Sequence, residues 1–224
     1  QGFILDKATG KVRAMTRDFA PSLEGGAVWN HADGKIYFRA ETGFDNFIYR
    51  LDPSDGKIIR IGTSMPNVKD YSMGDNESKW IAYRGGSFTD DGVAALVNLK
   101  TGKESIVADP QKENVRDIEF GKMEQWKFTA SDGTEIDGYF CLPPGFDPQK
   151  TYPMIVYYYG GTAPTTSTFY HLYSPQTFAS RDYVVYLINP SGTTGYGQEF
   201  SARHVNAWGK RTAEDIIEGV KLFC

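Results

Sequence analysis

The sequence predicts a strand-rich, repetitive region over residues 1–120, followed by an α/β region over residues 121–224. Turn-forming segments recur at a fixed period in the first region, whereas the second alternates apolar strands with helical patterns. The aromatic content of 14% is high, as is typical of strand-rich chains.

Three segments of the first region are copies of one another. Each has Asp or Asn near its start and Gly near its end, at 5–11, 51–57 and 97–103. The glycines recur every 46 residues. Because an Asx side chain can bond the backbone of its own turn and Gly accepts a positive φ, each copy is predicted to be a β-hairpin.

A second pattern lies between the copies. Residues 33–38 and 77–83 each read as a turn followed by an aromatic-rich strand, which gives about four strands per repeat. This period favours β-propeller blades over a β-sandwich with similar hairpins. About two and a half blades fit into residues 1–120, and since at least four close a propeller, we expect a partial one.

The pattern changes near Gln125. Alternating strands over 126–130 and 135–142 flank a turn and predict a hairpin. The apolar run 154–159 predicts a strand covered on both faces, and 183–189 predicts a second buried strand. Residues 169–181 between them are expected to be partly helical.

A helix is predicted at the end of the sequence. Thr212 to Asp215 resembles a capping box, with Asp in place of Glu. The apolar residues that follow have helical spacing and predict one buried face: Ala213, Ile216, Ile217, Val220 and Phe223. Hairpin, strand, helix, strand and helix together indicate the start of an α/β sheet.

Composition and residue spacing argue against several classes of protein. The net charge of −4 and the lack of a Lys/Arg cluster argue against nucleic-acid binding, and no apolar run is long enough for a membrane span. No residue spacing suggests a metal or cofactor site. Cys141 is predicted to be a buried thiol, with a disulfide to Cys224 as the alternative. Two cysteines do not distinguish a cytoplasmic protein from an exported one.

Several motifs follow one another in a specific order. They are TASDGTEIDGY at 129–139, PPGF at 143–146, Tyr152-Pro153, Tyr159-Gly160-Gly161, NPSGTTGYGQEF at 189–200 and Trp208-Gly209. In this order they resemble the prolyl oligopeptidase family of serine peptidases, especially its dipeptidyl and acylaminoacyl peptidase branches. Ser191 stands where many of these relatives carry Arg.

The resemblance implies the C-terminal blades of a β-propeller followed by the N-terminal part of an α/β-hydrolase domain. It implies a Ser-Asp-His triad that hydrolyses short peptides through an acyl-enzyme, as aminopeptidase, dipeptidyl or acylaminoacyl peptidase. A peptide would be the substrate, and a homo-oligomer of the complete protein stays open. The alternatives are a non-catalytic propeller module that binds peptide or glycan, and an esterase with the α/β-hydrolase fold.

No Gly-x-Ser-x-Gly nucleophile turn occurs in the sequence; residues 85–89 fail at the last position. His31, His171 and His204 precede any nucleophile and are predicted to be surface or hydrogen-bonded histidines. The family's spacing puts the nucleophile about 15 to 25 residues after Cys224. We therefore expect an internal fragment that lacks the triad and is inactive by itself.

One catalytic group is predicted within the chain. By the resemblance, the Tyr159 hydroxyl donates to the oxyanion, and Gly160 and Gly161 provide backbone next to the substrate. Tyr157 and Tyr158 are expected to pack as strand aromatics. The loop 190–197 lacks the spacing of a phosphate-binding loop and is interpreted as a structural loop near the active site.

Overall fold

The computed structural model describes residues 1–75, 77–170 and 173–224. The strands of the first region are β1 (Phe3–Leu5), β2 (Val12–Ala14), β3 (Ser22–Leu23), β4 (Val28–Asn30), β5 (Lys35–Thr42), β6 (Asp45–Leu51), β7 (Ile58–Arg60), β8 (Asn67–Ser72), β9 (Trp80–Gly86), β10 (Val93–Asn98) and β11 (Glu104–Ala108). The remaining elements are α1 (Lys112–Val115), β12 (Lys122–Thr129), β13 (Glu135–Leu142), β14 (Met154–Tyr157), α2 (Pro175–Ala179), β15 (Val184–Asn189), α3 (Gln198–Ala202) and α4 (Lys210–Phe223).

The three repeated segments form hairpins, as predicted. They join β1 to β2, β6 to β7 and β10 to β11. In each turn the first residue, Asp6, Asp52 or Asn98, accepts a hydrogen bond at 2.9–3.0 Å on its side-chain oxygen from the N–H two residues on. The glycine N–H donates to the carbonyl of that same first residue at 2.8–2.9 Å, and the glycine φ is 69–79°. Local side-chain chemistry therefore closes the turns.

Two four-stranded antiparallel runs make up most of the first region. Strands β4 to β7 form one run and β8 to β11 the other, and a single parallel bridge between Asn46 and Asn67 links them. Strand β3 pairs with β5, and β1 and β2 form a separate pair. Tyr37, Ile48 and Ile81 lie fully buried between the two runs.

A mixed sheet with the order β12-β13-β15-β14 forms the second region. The predicted hairpin is present as β12 and β13, and β15 is buried throughout, as predicted. The predicted strand 154–159 is wrong in two respects. Strand β14 ends at Tyr157, and it is half-buried because it lies at the edge of the sheet, where β15 is its one partner among the described residues.

The terminal helix is present, but its predicted capping box is wrong. Helix α4 begins at Lys210 after Gly209, whose φ is 76°, so Thr212 lies inside the first turn. The predicted apolar face is confirmed in part, because Ile216, Val220 and Phe223 pack against the core of the mixed sheet. Ala213 and Ile217 are exposed, whereas Thr212, Asp215 and Gly219 are buried. The fully buried positions of the helix are polar or small because the helix packs closely onto the sheet and onto a polar loop, as described below.

The turn between β5 and β6 joins the two regions. Phe44 at this turn is only 3% exposed and packs in a cluster with Cys141, Val185 and Leu187 of the mixed sheet. Its ring meets that of Tyr139 edge-on, with centroids 4.9 Å apart. The two regions therefore share a hydrophobic core, at a contact that orients the loops of the candidate site.

Candidate active site

Two loops leave the mixed sheet at the same edge. Strands β14 and β15 are parallel neighbours, with Tyr157 opposite Leu187. The chain continues from β14 into residues 158–167, which we call the Tyr159 loop, and from β15 into residues 190–197. Because ligands of α/β sheets bind beyond the carboxyl ends of parallel strands, this edge is the candidate site.

Tyr159 lies two residues beyond the end of β14 and is 58% exposed. Its ring folds back over Gly161: a Cβ at that position would lie 2.7 Å from Tyr159 Cε1. Any residue with a side chain at position 161 would displace the Tyr159 ring, so glycine at this position permits the observed orientation of the phenol. Gly160 has open space around its Cα. The three predicted site residues thus lie together at the open end of the sheet.

The Tyr159 loop is attached to the chain that follows β15. The carbonyl of Thr162 accepts a hydrogen bond from the N–H of Thr194 at 2.8 Å, and the Thr194 hydroxyl oxygen lies 3.1 Å from the same carbonyl. Further along, the buried side chain of Asn189 bonds both the N–H and the carbonyl of Thr165, at 2.7 and 3.0 Å. These contacts hold the two loops next to each other.

The β5–β6 turn also contacts both loops. The N–H of Ser167 donates to the carbonyl of Phe44, and its hydroxyl donates to Asp45 Oδ1, each at 2.6 Å. The hydroxyl of Thr194 donates to Glu41 Oε2 at 2.9 Å. Burial raises the pKa of the Glu41 and Asp45 carboxyls, and these hydroxyl hydrogen bonds oppose that shift.

Internal contacts fix the base of the 190–197 loop. Asp215 on α4 is 1% exposed and accepts a hydrogen bond at 2.8 Å from the N–H of Ser191. The Ser191 hydroxyl accepts one from Arg203 Nε at 2.9 Å, and Arg203 also pairs with Asp132. Within the same loop, burial strongly raises the pKa of the Tyr196 hydroxyl. The polar groups of this loop thus fix its own base, while Thr194 and Gly195 bond the neighbouring segments.

The three histidines differ in their surroundings. His31 is exposed in the turn between β4 and β5, as predicted. His171 lies outside the described residues. For His204 the prediction is wrong, because its side chain is half-buried and neither ring nitrogen has a hydrogen-bond partner among the residues that the structure describes. Its ring packs against that of Trp208, with centroids 4.6 Å apart, and its Cβ faces Gly192.

The other aromatic and thiol predictions are mostly confirmed. Tyr157 is half-buried and packs in the Phe44 cluster, but Tyr158 is 45% exposed beyond the strand end, so the packing prediction is wrong for it. Cys141 is a buried free thiol, and burial raises its pKa to about 12. Cys224 is also free, so the disulfide alternative is not found.

Sequence reasoning missed the polar residues that hold the loops. Glu41 lies near the end of β5 and Asp45 is the first residue of β6, at the tip of a hairpin, where carboxylates normally face solvent. The one available signal was the hydroxyl-rich stretch 162–168, TAPTTST, since hydroxyl side chains readily bond backbone and carboxylates. No sequence pattern indicates that this hydroxyl-rich stretch contacts residues 41–45.

Neither a metal centre nor a membrane span is found in the described part of the chain. Over residues 1–75, 77–170 and 173–224, His, Cys, Asp and Glu side chains form no group of three placed to hold a metal ion. Among the helices of these ranges, none combines the length and apolar character that crossing a bilayer requires.

Comparison with known proteins finds similarity to peptidases. The model of the prolyl oligopeptidase family matches residues 169–224. The dipeptidyl-peptidase 5 of Schizosaccharomyces pombe is 28% identical over 100% of the chain and 32% of its own length. The dipeptidyl-peptidase 5 of Porphyromonas gingivalis is 26% identical over 97% of the chain and 31% of its own length.

A solved structure shows the same fold. The uncomplexed acylaminoacyl peptidase of Pyrococcus horikoshii has a TM-score of 0.80 at 22% identity, over 99% of this chain and 33% of its own. The resemblance to peptidases of the prolyl oligopeptidase family is thus confirmed. The chain spans about a third of the length of the curated relatives it matches.

Proposed function

We propose that the chain is part of a serine peptidase that hydrolyses short peptides through an acyl-enzyme, with dipeptidyl or acylaminoacyl specificity. Residues 1–120 form a partial β-propeller: β1 and β2 are half a blade, and β4–β7 and β8–β11 are one blade each. Residues 121–224 form the first part of an α/β-hydrolase domain. The strand grouping, the names of the relatives and the shared fold support this proposal.

One observation carries the proposal. The Tyr159 loop and the 190–197 loop meet beyond the carboxyl ends of parallel β14 and β15, where the Thr194 N–H bonds the Thr162 carbonyl at 2.8 Å. This is the edge at which α/β enzymes hold their substrates. It supports Tyr159 as an oxyanion donor, with Gly160 and Gly161 as the backbone beside the substrate.

In this proposal the chain supplies half of an oxyanion hole. The Tyr159 hydroxyl donates to the carbonyl oxygen as it gains charge in the tetrahedral intermediate. The second donor and the Ser-Asp-His triad come from residues outside this chain, since it has no Gly-x-Ser-x-Gly. The 224-residue chain by itself is therefore expected to release no product from a peptidyl substrate.

The test is Tyr159→Phe in the complete enzyme, assayed on dipeptidyl and acylaminoacyl p-nitroanilides. Losing one preorganised donor should lower kcat about 10²- to 10³-fold, with little change in KM, because the hydrogen bond is made in the transition state. Tyr158→Phe, which removes the neighbouring exposed hydroxyl, is the matched control and should keep the wild-type kcat. A wild-type kcat in Tyr159→Phe would reject the assignment.

The same enzyme preparation separates the alternative functions. A fluorophosphonate probe labels a nucleophilic serine, so a peptidase or an esterase would be labelled, whereas a non-catalytic peptide- or glycan-binding module would not. An esterase would cleave p-nitrophenyl esters but leave the anilides intact. Labelling together with anilide cleavage is the result expected of the peptidase.

A further inference from the structure

The Tyr159 loop is held by a segment that is far away in the sequence. This segment is the end of β5, the turn that follows it and the first residue of β6, residues 41–45, which we call the hairpin tip. It belongs to the first region, whereas the Tyr159 loop belongs to the second. The hairpin tip therefore contributes to the candidate site without forming part of the mixed sheet.

Ser167 is the first point of attachment. It is 3% exposed, and its N–H and hydroxyl both bond the hairpin tip, at Phe44 and Asp45 respectively. A hydroxyl bonded to a carboxylate at 2.6 Å lies within the range of charge-assisted hydrogen bonds, which are about twice as strong as neutral ones. The C-terminal end of the Tyr159 loop is thus tied to the tip.

Thr194 is the second point of attachment. Its hydroxyl lies 2.9 Å from Glu41 Oε2 and 3.1 Å from the carbonyl of Thr162, and its N–H bonds that carbonyl as well. Thr162 is only three residues from Tyr159. Glu41 thus orients a residue that directly contacts the loop of the proposed donor.

The hairpin tip is itself firmly anchored. Phe44 lies in the core of the mixed sheet, and the N–H of Gly43 donates to the carbonyl of Gly195 at 3.1 Å. Gly43 has a φ of 63°, and a Cβ there would lie 3.3 Å from the Tyr196 hydroxyl. Backbone conformation and close packing both favour glycine at this position, so the tip is a rigid support.

We propose that Asp45 is a positioning residue for the oxyanion donor, acting through Ser167 on the Tyr159 loop. Glu41 supports the same loop through Thr194. This proposal rests on the proposed function of Tyr159. It adds that the first region takes part in catalysis, because a loop displaced by about 1 Å can lose a factor of 10² in rate.

The test is a double-mutant cycle in the complete enzyme. Asp45→Ala should lower kcat about 10- to 100-fold with a smaller effect on KM, because the donor is no longer oriented. Asp45→Asn keeps an oxygen that accepts the Ser167 hydroxyl and should stay within about threefold of wild type. Added to Tyr159→Phe, Asp45→Ala should cause less than about a twofold further loss, since its effect passes through the missing hydroxyl.

Ser167→Ala is the second variant, in case Asp45→Ala fails to fold by circular dichroism. It removes the hydroxyl and keeps the N–H bond to Phe44, and it should reproduce the same non-additive loss. A full additional loss in the Tyr159→Phe background would overturn the positioning role, as would equal losses in the Asn and Ala variants. Either result leaves the role of Tyr159 intact, whereas a wild-type kcat in Tyr159→Phe alone would reject the proposed function itself.

Discussion

Asp215 shows how one buried carboxylate organises a loop. It lies on α4, almost without solvent exposure, and accepts the N–H of Ser191, while Arg211 Nε lies 3.9 Å from its other oxygen. A buried charge needs such partners to offset its desolvation. In the sequence this residue reads as part of a capping box, because local pattern cannot show that it faces a loop 24 residues away.

Cys141 provides a prediction at the residue scale. Since burial raises the pKa of its thiol to about 12, almost no thiolate exists at pH 8, and thiolate is the reactive form. In the native complete protein, iodoacetamide at pH 8 should leave the Cys141 peptide unmodified by mass spectrometry. The same peptide should be alkylated in urea, and alkylation at equal rates in both conditions would contradict the burial.

At the scale of elements, α4 packs unusually closely on the mixed sheet. A Cβ on Gly219 would lie 2.6 Å from the Tyr186 hydroxyl and 3.0 Å from Phe128. Helix propensity alone favours Ala over Gly by about 1 kcal/mol, but a clash inside a packed core costs more. The glycine is therefore explained by what it faces, and the spacing of apolar residues along the helix does not reveal this.

Gly219→Ala is expected to lower the free energy of unfolding of the complete protein by about 1–3 kcal/mol, measured in urea. Tyr186→Phe removes the hydroxyl that the new methyl group would meet. Because that hydroxyl is buried and unpartnered among the described residues, Tyr186→Phe alone should change stability little. The double variant should recover part of the loss. A stabilised Gly219→Ala would show that propensity outweighs packing here.

Strand β14 shows a limit of apolar patterning. Residues 154–159 are uniformly apolar or aromatic, so they predict one continuous buried strand. The ladder with β15 ends at Tyr157, and Asn189 at the end of β15 instead bonds Thr165 of the loop. That early ending leaves Tyr158 and Tyr159 outside the sheet, and it makes Tyr159 available as a candidate catalytic group.

At the scale of the whole molecule, Phe44 joins the two regions into one core. Phe44→Ala should lower the free energy of unfolding by about 3–5 kcal/mol in the complete protein, because it empties a site lined by the mixed sheet, by α2 and by Phe88 of the first region. Phe44→Leu keeps most of the apolar volume and should lose distinctly less. Equal stabilities of wild type and Phe44→Ala in urea would show that this contact does not bind the regions together.

Features whose interacting partners are close along the chain can be predicted from the amino-acid sequence. Asp6 and Gly10, like their counterparts 46 and 92 residues on, close their turns with contacts that span five residues, so composition and spacing suffice to predict the hairpins. Tyr159, Gly160 and Gly161 are likewise consecutive in the chain, and their role at the site stays a prediction that the family resemblance implies.

The surroundings of this Tyr-Gly-Gly motif depend on long-range packing and cannot be predicted from local sequence. The contact of Ser167 with Asp45 spans 122 residues, and that of Thr194 with Glu41 spans 153. Such pairs carry no local signal, because a single hydroxyl or carboxylate suits a solvated turn equally well. They become specific only when Phe44 enters the second core and brings the hairpin tip against both loops. The motif thus identifies the candidate donor, and the packing of two distant segments fixes its position.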